Sequence, residues 1–152
     1  MDGRDPEALV RAFHATYALP VAEDAPSVDR DRVHMRMALI GEELAELVEA
    51  VYGSAAGALI DQAFAAAVAA DDGSRDVVGA ADALADLVYV SYGMALECGI
   101  PLPEVLAEIQ TSNLSKLAAD GTPILREDGK VLKGPEYRPP DVAAVLARRQ
   151  GG

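Results

Sequence analysis

Residues 77–99 read VVGAADALADLVYVSYGMALECG, and the fold turns on how this stretch is understood. Apolar and small residues occupy nearly every side of the helical wheel. Gly99 then stands where a helix C-terminal glycine belongs, with Pro101 just beyond. A helix that is hydrophobic all round is expected to be buried. Between Val77 and Ala95 its only charges are Asp82 and Asp86, four residues apart and so adjacent on one face. Two buried carboxylates at that spacing repel one another and are costly to desolvate. They call for a cation, a shared proton or basic partners. With basic residues scarce, a metal is the economical answer. The competing account is a polar seam in which both acids bond to Ser, Tyr or Arg side chains.

The surrounding sequence is helical as well. Asp5-Pro6-Glu7 reads as an N-cap, a first-position proline and a first-turn acid, opening a helix that carries Leu9, Val10, Phe13 and Tyr17 and stops before Pro20. A Pro-containing linker covers residues 20–30. The second helix runs from about Asp31 to Tyr52, with Met37, Ile40, Leu44, Leu47, Val48 and Val51 forming an amphipathic stripe. An Ala-rich third helix follows over 54–70, closed by Asp71-Asp72-Gly73-Ser74, and the fourth spans roughly Asp76–Glu97. Pro103 can begin a fifth helix reaching about Ala119.

Beyond Asp120-Gly121, the Asp128-Gly129 turn between two short apolar arms signals a β-hairpin within a 121–138 appendage, and residues 139–150 restart a short helix. The expectation is therefore one all-α domain, a bundle of about five helices over residues 1–152 with a small C-terminal hairpin. Helix four, and a third helix uncharged between Gly57 and Ala70 except at Asp61, are difficult to cover within one small subunit. A homo-oligomer, dimer or tetramer, follows.

Composition narrows the function. Against 25 acids stand 13 Lys and Arg, giving a net charge of -12, so binding to a nucleic acid polymer or an anionic membrane is not expected. A free nucleotide stays open, because a divalent cation can mediate between carboxylates and phosphates. A single cysteine excludes an intrachain disulfide and suits a reducing compartment. The N-terminal stretch lacks the apolar core of a signal peptide, and no segment is expected to span a bilayer, which points to a cytoplasmic protein. Aromatic residues make up only 5% with no Trp, while Ala and Leu abound, favouring close-packed helices over sheets.

Two further constellations carry chemistry. On the second helix Glu42, Glu46 and Glu49 fall within about 60° of one another, with Glu43 at one flank, nearly opposite the Leu44 stripe. Such a face is either solvated surface or a ligand cluster. No Lys or Arg lies three or four residues on from these acids, which weighs against plain surface. Near the end of the fifth helix, Asn113 and Lys116 precede Lys130, Lys133, Tyr137 and Arg138, a cationic and amide-bearing region suited to polyphosphate. The lysines at 130 and 133 also fit a hairpin edge kept soluble. His14, His34 and Cys98 form no zinc pattern, and Walker, GxGxxG and GxSxG motifs are absent.

Gly41-Glu42-Glu43-Leu44-Ala45-Glu46 is an EExxE motif. Together with Asp82-Ala83-Leu84-Ala85-Asp86, Ser112-Asn113-Leu114-Ser115-Lys116-Leu117 and Asp128-Gly129-Lys130-Val131-Leu132-Lys133-Gly134 with Tyr137, it resembles the MazG-like all-α nucleoside-triphosphate pyrophosphohydrolases. That superfamily also holds phosphoribosyl-ATP pyrophosphohydrolases and dimeric dUTPases.

The resemblance implies helices from two or more subunits packed together and Mg²⁺, with Mn²⁺ as a substitute, held by Glu43, Glu46 and Asp86. The reaction implied is cleavage of a (d)NTP, dUTP among them, to a monophosphate and pyrophosphate. The commoner second motif, ExxD, would place a glutamate where this chain has Ala83, and Asp82 is the acid able to stand in. Glu42 is the expected general base, and Asn113, Lys116, Lys133 and Tyr137 the expected substrate contacts. The alternatives are a catalytically silent helical module and a phosphoribosyl-ATP pyrophosphohydrolase.

Overall fold

The computed structural model describes residues 5–150, with side chains through residue 148; the first four residues of the N-terminal stretch and the side chain of Arg149 lie outside this range. Helices α1 (Pro6–Thr16), α2 (Val33–Tyr52), α3 (Ser54–Ala69), α4 (Val77–Glu97), α5 (Leu102–Leu114) and α6 (Val142–Gln150) follow in order, with no strand among the described residues. The all-α expectation holds. The Asp5 carboxylate accepts a hydrogen bond from the Glu7 amide at 3.0 Å and Pro6 opens the helix, as the sequence signals.

The chain divides into two compact units, one from Pro26 to Ala80 and the other from the flanking segments, up to Ala25 and from Ala81 on. In the first, α2 and α3 form a helical hairpin turned by the single residue Gly53, whose φ of 95° suits glycine. The faces in contact carry small residues. A Cβ on Gly41 would stand 2.8 Å from the Phe64 ring, and one on Gly57 would stand 2.8 Å from the Glu49 Cβ and 3.0 Å from the Ala45 carbonyl oxygen. Met35, Gly41 and Ala45 are the buried positions of α2. The stripe of Met37, Ile40, Leu44, Leu47 and Val51 is exposed instead, since the hairpin closes through the glycine and alanine face beside it.

The second unit packs α1 against α5 and α5 against α6. Tyr17 is fully buried, its ring centroid 4.5 Å from that of Phe13, with Leu19, Ala95 and Val145 also buried. Three expectations need correction here. Helix α4, expected to be difficult to cover within one subunit, is uncovered in the single chain, and the burial expected for its two acids is not met there: Val78 is 76% exposed, Tyr89 81% and Leu96 79%, and Asp82 and Asp86 are exposed with them. Among the described residues the helix pairs that pack on one another are α2 with α3, α1 with α5 and α5 with α6.

Second, α4 is long and apolar enough to cross a membrane, with a mean hydropathy of 1.2, contrary to the expectation that no segment is. Two aspartates one turn apart on its surface would be costly in lipid.

Third, the C-terminal hairpin is reduced to a single antiparallel bridge, Leu125 with Val131, around a turn at Gly129. Pro123 has no N–H to extend one arm. On the other arm, the Gly134 amide donates to the Lys116 carbonyl at 2.9 Å rather than to a ladder. The same bond accounts for α5 ending at Leu114 instead of near Ala119, because the chain must turn to receive the tail.

Replacing Gly57 with Val should lower the unfolding free energy by about 2 kcal/mol, since the added methyls meet backbone that cannot rotate away. Urea titration of wild type and variant measures the difference.

Candidate functional site

The two stretches that carry the expected polyphosphate contacts meet by their backbones just beyond the end of α5. A helix leaves its final carbonyls without the donors of a continuing helix; here the Ser115 and Lys116 amides close tighter bonds to the Ser112 and Asn113 carbonyls, and other groups of the same unit add further donors. The buried Tyr17 hydroxyl, arriving from the end of α1, donates to the Asn113 carbonyl at 2.6 Å. The Ser115 hydroxyl donates to the Ser112 carbonyl at 2.6 Å and accepts from the Arg138 amide at 2.9 Å, while the Ser112 hydroxyl donates to the Arg138 carbonyl at 2.7 Å.

Gly134 N–H takes the Lys116 carbonyl, and a Cβ at this position would drive into the Leu117 carbonyl group. Glycine is required by proximity. The tail is thus tied across the α5 terminus, with Asn113 and Lys116 on the helix side and Lys133 and Tyr137 on the tail side. The Lys133 ammonium lies 4.7 Å from the Tyr137 ring centroid, a cation–π contact that restrains a long, exposed side chain.

The sequence reading identified Asn113, Lys116, Lys133 and Tyr137 but missed Tyr17, Ser112, Ser115 and Gly134, which hold them. Ser112 and Ser115 did carry a signal: serines three apart near a helix end compete for backbone groups and favour a cap over continued helix. Gly134 and the Tyr17 hydroxyl carried none, since their partners are distant in sequence.

The carboxylates sit elsewhere. Glu42, Glu43 and Glu46 are exposed on α2, in the unit from Pro26 to Ala80, and Asp82 and Asp86 are exposed on α4 in the other unit. Each pair of candidate ligands shares a face of its own helix, at i,i+3 for Glu43 and Glu46 and at i,i+4 for Asp82 and Asp86. Among the described residues no three His, Cys, Asp or Glu side chains gather as a metal site. The donor chemistry nonetheless fits Mg²⁺, a hard cation served by carboxylate oxygens. A cleft of about 450 Å³ opens where Leu96, Ile100, Pro103, Glu104, Val145 and Arg148 meet, and it contains none of these acids.

Comparison with known proteins places these features. The family model of phosphoribosyl-ATP pyrophosphohydrolase matches residues 10–113, a span that includes both acidic motifs and ends at Asn113. A solved structure from Exiguobacterium sp. 255-15, described as a candidate NTP pyrophosphohydrolase, superposes with a TM-score of 0.70. The two chains are 24% identical, and the match covers 97% of this chain and 96% of that one, so the likeness extends through the tail. At that identity it establishes the fold. No curated protein matches the chain.

Burial pushes the Tyr17 phenol above its ordinary value of 10.0, with the Lys116 backbone amide pulling partly back. The unfolded chain therefore releases this proton first as pH rises through about 10, and folded stability falls above that point. Urea unfolding at about pH 9 and about pH 11 should show a steeper loss in wild type than in Tyr17→Phe, which has no phenol to ionise there.

Proposed function

The chain belongs to the phosphoribosyl-ATP pyrophosphohydrolase family, and from that membership we propose that it is a cytoplasmic, Mg²⁺-dependent enzyme. It cleaves (d)NTPs, dUTP among the candidate substrates, to monophosphate and pyrophosphate. The family's chemistry is hydrolysis of a nucleotide pyrophosphate bond. The observation that carries the reading is the family match itself, because the matched span contains EExxE at 42–46 and the aspartates at 82 and 86.

Glu43, Glu46 and Asp86 would hold the metal, with Asp82 in place of the glutamate absent at Ala83, and Mn²⁺ could substitute. When bound, Mg²⁺ supplies neutralisation of phosphate oxygens and Lewis acidity at phosphorus. Glu42 accepts the proton of the attacking water as its oxygen bonds to the α-phosphorus and the bond to the bridging oxygen of the β-phosphate breaks. Lys116 and Lys133 stabilise charge gathering on the departing pyrophosphate, and the Asn113 amide donates to its oxygens. Tyr137 holds Lys133 in place through the ring contact.

A second reading, with phosphoribosyl-ATP as substrate, is favoured by the family model's own description. Pyrophosphate release measured across (d)NTPs, modified nucleotides and phosphoribosyl-ATP separates the two. Release from none of them, with no Mg²⁺-dependent thermal shift by a non-hydrolysable nucleotide, would assign the chain to a silent helical module.

The proposal includes a homo-oligomer, dimer or tetramer. Its support is exposed apolar surface: Met37, Leu44, Leu47 and Val51 on α2, with Leu84, Leu87, Val88 and Val90 on α4, all stand exposed in the single chain. Sedimentation at micromolar concentration should give a mass of at least twice 15.9 kDa; a mass near 15.9 kDa would remove this part of the proposal.

Glu46→Gln and Asp86→Asn should each lower kcat by about 10²-fold or more while leaving the fold intact, as expected when a ligand to a catalytic metal is removed. Asp82→Asn should weaken the apparent Mg²⁺ affinity together with turnover. Unchanged Mg²⁺ dependence in that variant would assign Asp82 a structural role and leave three acids at the site.

A further inference from the structure

Between Met37 and Ala69 the hairpin of α2 and α3 carries Glu42, Glu43, Glu46, Glu49 and Asp61, and no Lys, Arg or His. Four of these acids belong to α2. Asp61 is the single charge of α3. The close contacts of the hairpin fix where that charge stands. Gly57 of α3 meets Ala45 and Glu49 of α2, and Phe64 meets Gly41. Rising numbers on α3 thus meet falling numbers on α2. Asp61, between Gly57 and Phe64, comes level with the turn of α2 that holds Glu42 and Glu46.

The side it occupies follows from helix rotation. On α2, Glu42 and Glu46 each come one position after a buried contact residue, Gly41 and Ala45, a turn of about 100°. On α3, Asp61 comes four positions after the buried contact residue Gly57, a net turn of about 40° in the same sense. Two right-handed helices running in opposite directions carry such turns to the same side of their contact. Asp61 therefore stands on the side of the hairpin that Glu42 and Glu46 occupy, and like them it is exposed there.

Like charges gathered on one side of a hairpin oppose its closure, and a cation relieves that repulsion. We propose that Asp61 is a positioning residue of the Mg²⁺ site, accepting hydrogen bonds from water that the ion retains, beside Glu46 as ligand and Glu42 as base. The proposal rests on the pyrophosphohydrolase reading for the presence of the ion, and it adds an acid that neither acidic motif contains. Mg²⁺ usually keeps several of its waters in a protein site, so a carboxylate can serve it from one water away. An outer position suits a chain in which, among the described residues, no three such acids gather closely enough to hold an ion directly.

The test reads the Kd of Mn²⁺ alone by calorimetry, on the full-length protein without nucleotide, and then pyrophosphate release against Mg²⁺ concentration. Asp61→Asn should raise the Kd about tenfold, the loss expected when an outer partner of a metal site is removed. The Mg²⁺ dependence of turnover should shift by a similar factor, with kcat within about threefold of wild type at saturating Mg²⁺. Asp61→Glu keeps the charge in place and should recover most of the affinity. Asp61→Asn combined with Gln62→Glu restores the net charge but moves the acid about 100° further round the helix, and should bind as weakly as Asp61→Asn alone.

A folded Asp61→Asn with wild-type Kd would overturn the proposal. So would rescue by Gln62→Glu, which would reduce the effect to net charge. Glu46→Gln separates the proposal from the reading beneath it: weaker Mn²⁺ binding there, with Asp61→Asn unchanged, leaves the metal site standing and removes Asp61 from it. If wild type hydrolyses no nucleotide, the functional proposal fails while Mn²⁺ affinity still decides Asp61. A wild type that binds no Mn²⁺ removes both.

Discussion

The carbonyl oxygens at the end of α5 accept both from the amides just beyond the helix and from donors brought in by α1 and the tail, and this meeting point ties the unit together. Tyr17 is buried because its hydroxyl has to arrive at the Asn113 carbonyl; α1 lies along α5 because Tyr17 stands at its end. The tail crosses where it does because Ser112, Ser115 and the Lys116 carbonyl bind its backbone at Arg138 and Gly134. Each bond alone is a modest net contribution, on the order of 1 kcal/mol. Together they decide the path of more than one segment.

The other unit obeys a different constraint, close approach. Glycine and alanine let α2 and α3 meet with little side-chain bulk between them, which leaves the larger aliphatic residues of α2 pointing elsewhere. The chain consequently places its bulk outside and its small residues inside along this hairpin. That inverts the usual distribution, in which large aliphatic residues are among the most often buried. Helix α4 follows the same pattern, with Ala95 buried and Val78, Leu84, Val88, Tyr89 and Leu96 toward solvent.

Much of this was legible in the sequence. Helix α1 was specified by its cap and proline, and α2, α3 and α4 begin and end within about two residues of where periodicity and breakers place them. The acidic motifs were found by spacing alone, since i,i+3 and i,i+4 relations survive whatever the tertiary context. Burial was not legible. The burial expected for α4 and its two acids is not met within the single chain, because an apolar face says that something must cover it and not that the same chain does so. The hairpin failed for a local reason, Pro123, and a distant one, the diversion of Gly134 to Lys116. Contacts that join positions far apart in sequence leave no periodic trace, which is why the holders of the α5 site were missed while its polar residues were found.

The same geometry has a kinetic side. The hairpin of α2 and α3 pairs neighbours in sequence through a one-residue turn, so its closure costs little chain entropy and belongs to the fast events of helical folding. The Tyr17 to Asn113 bond instead closes a loop of 96 residues, and it cannot reward the chain until both α1 and α5 have formed and met. Joining the two ends of the sequence therefore carries the largest chain-entropy cost among these contacts.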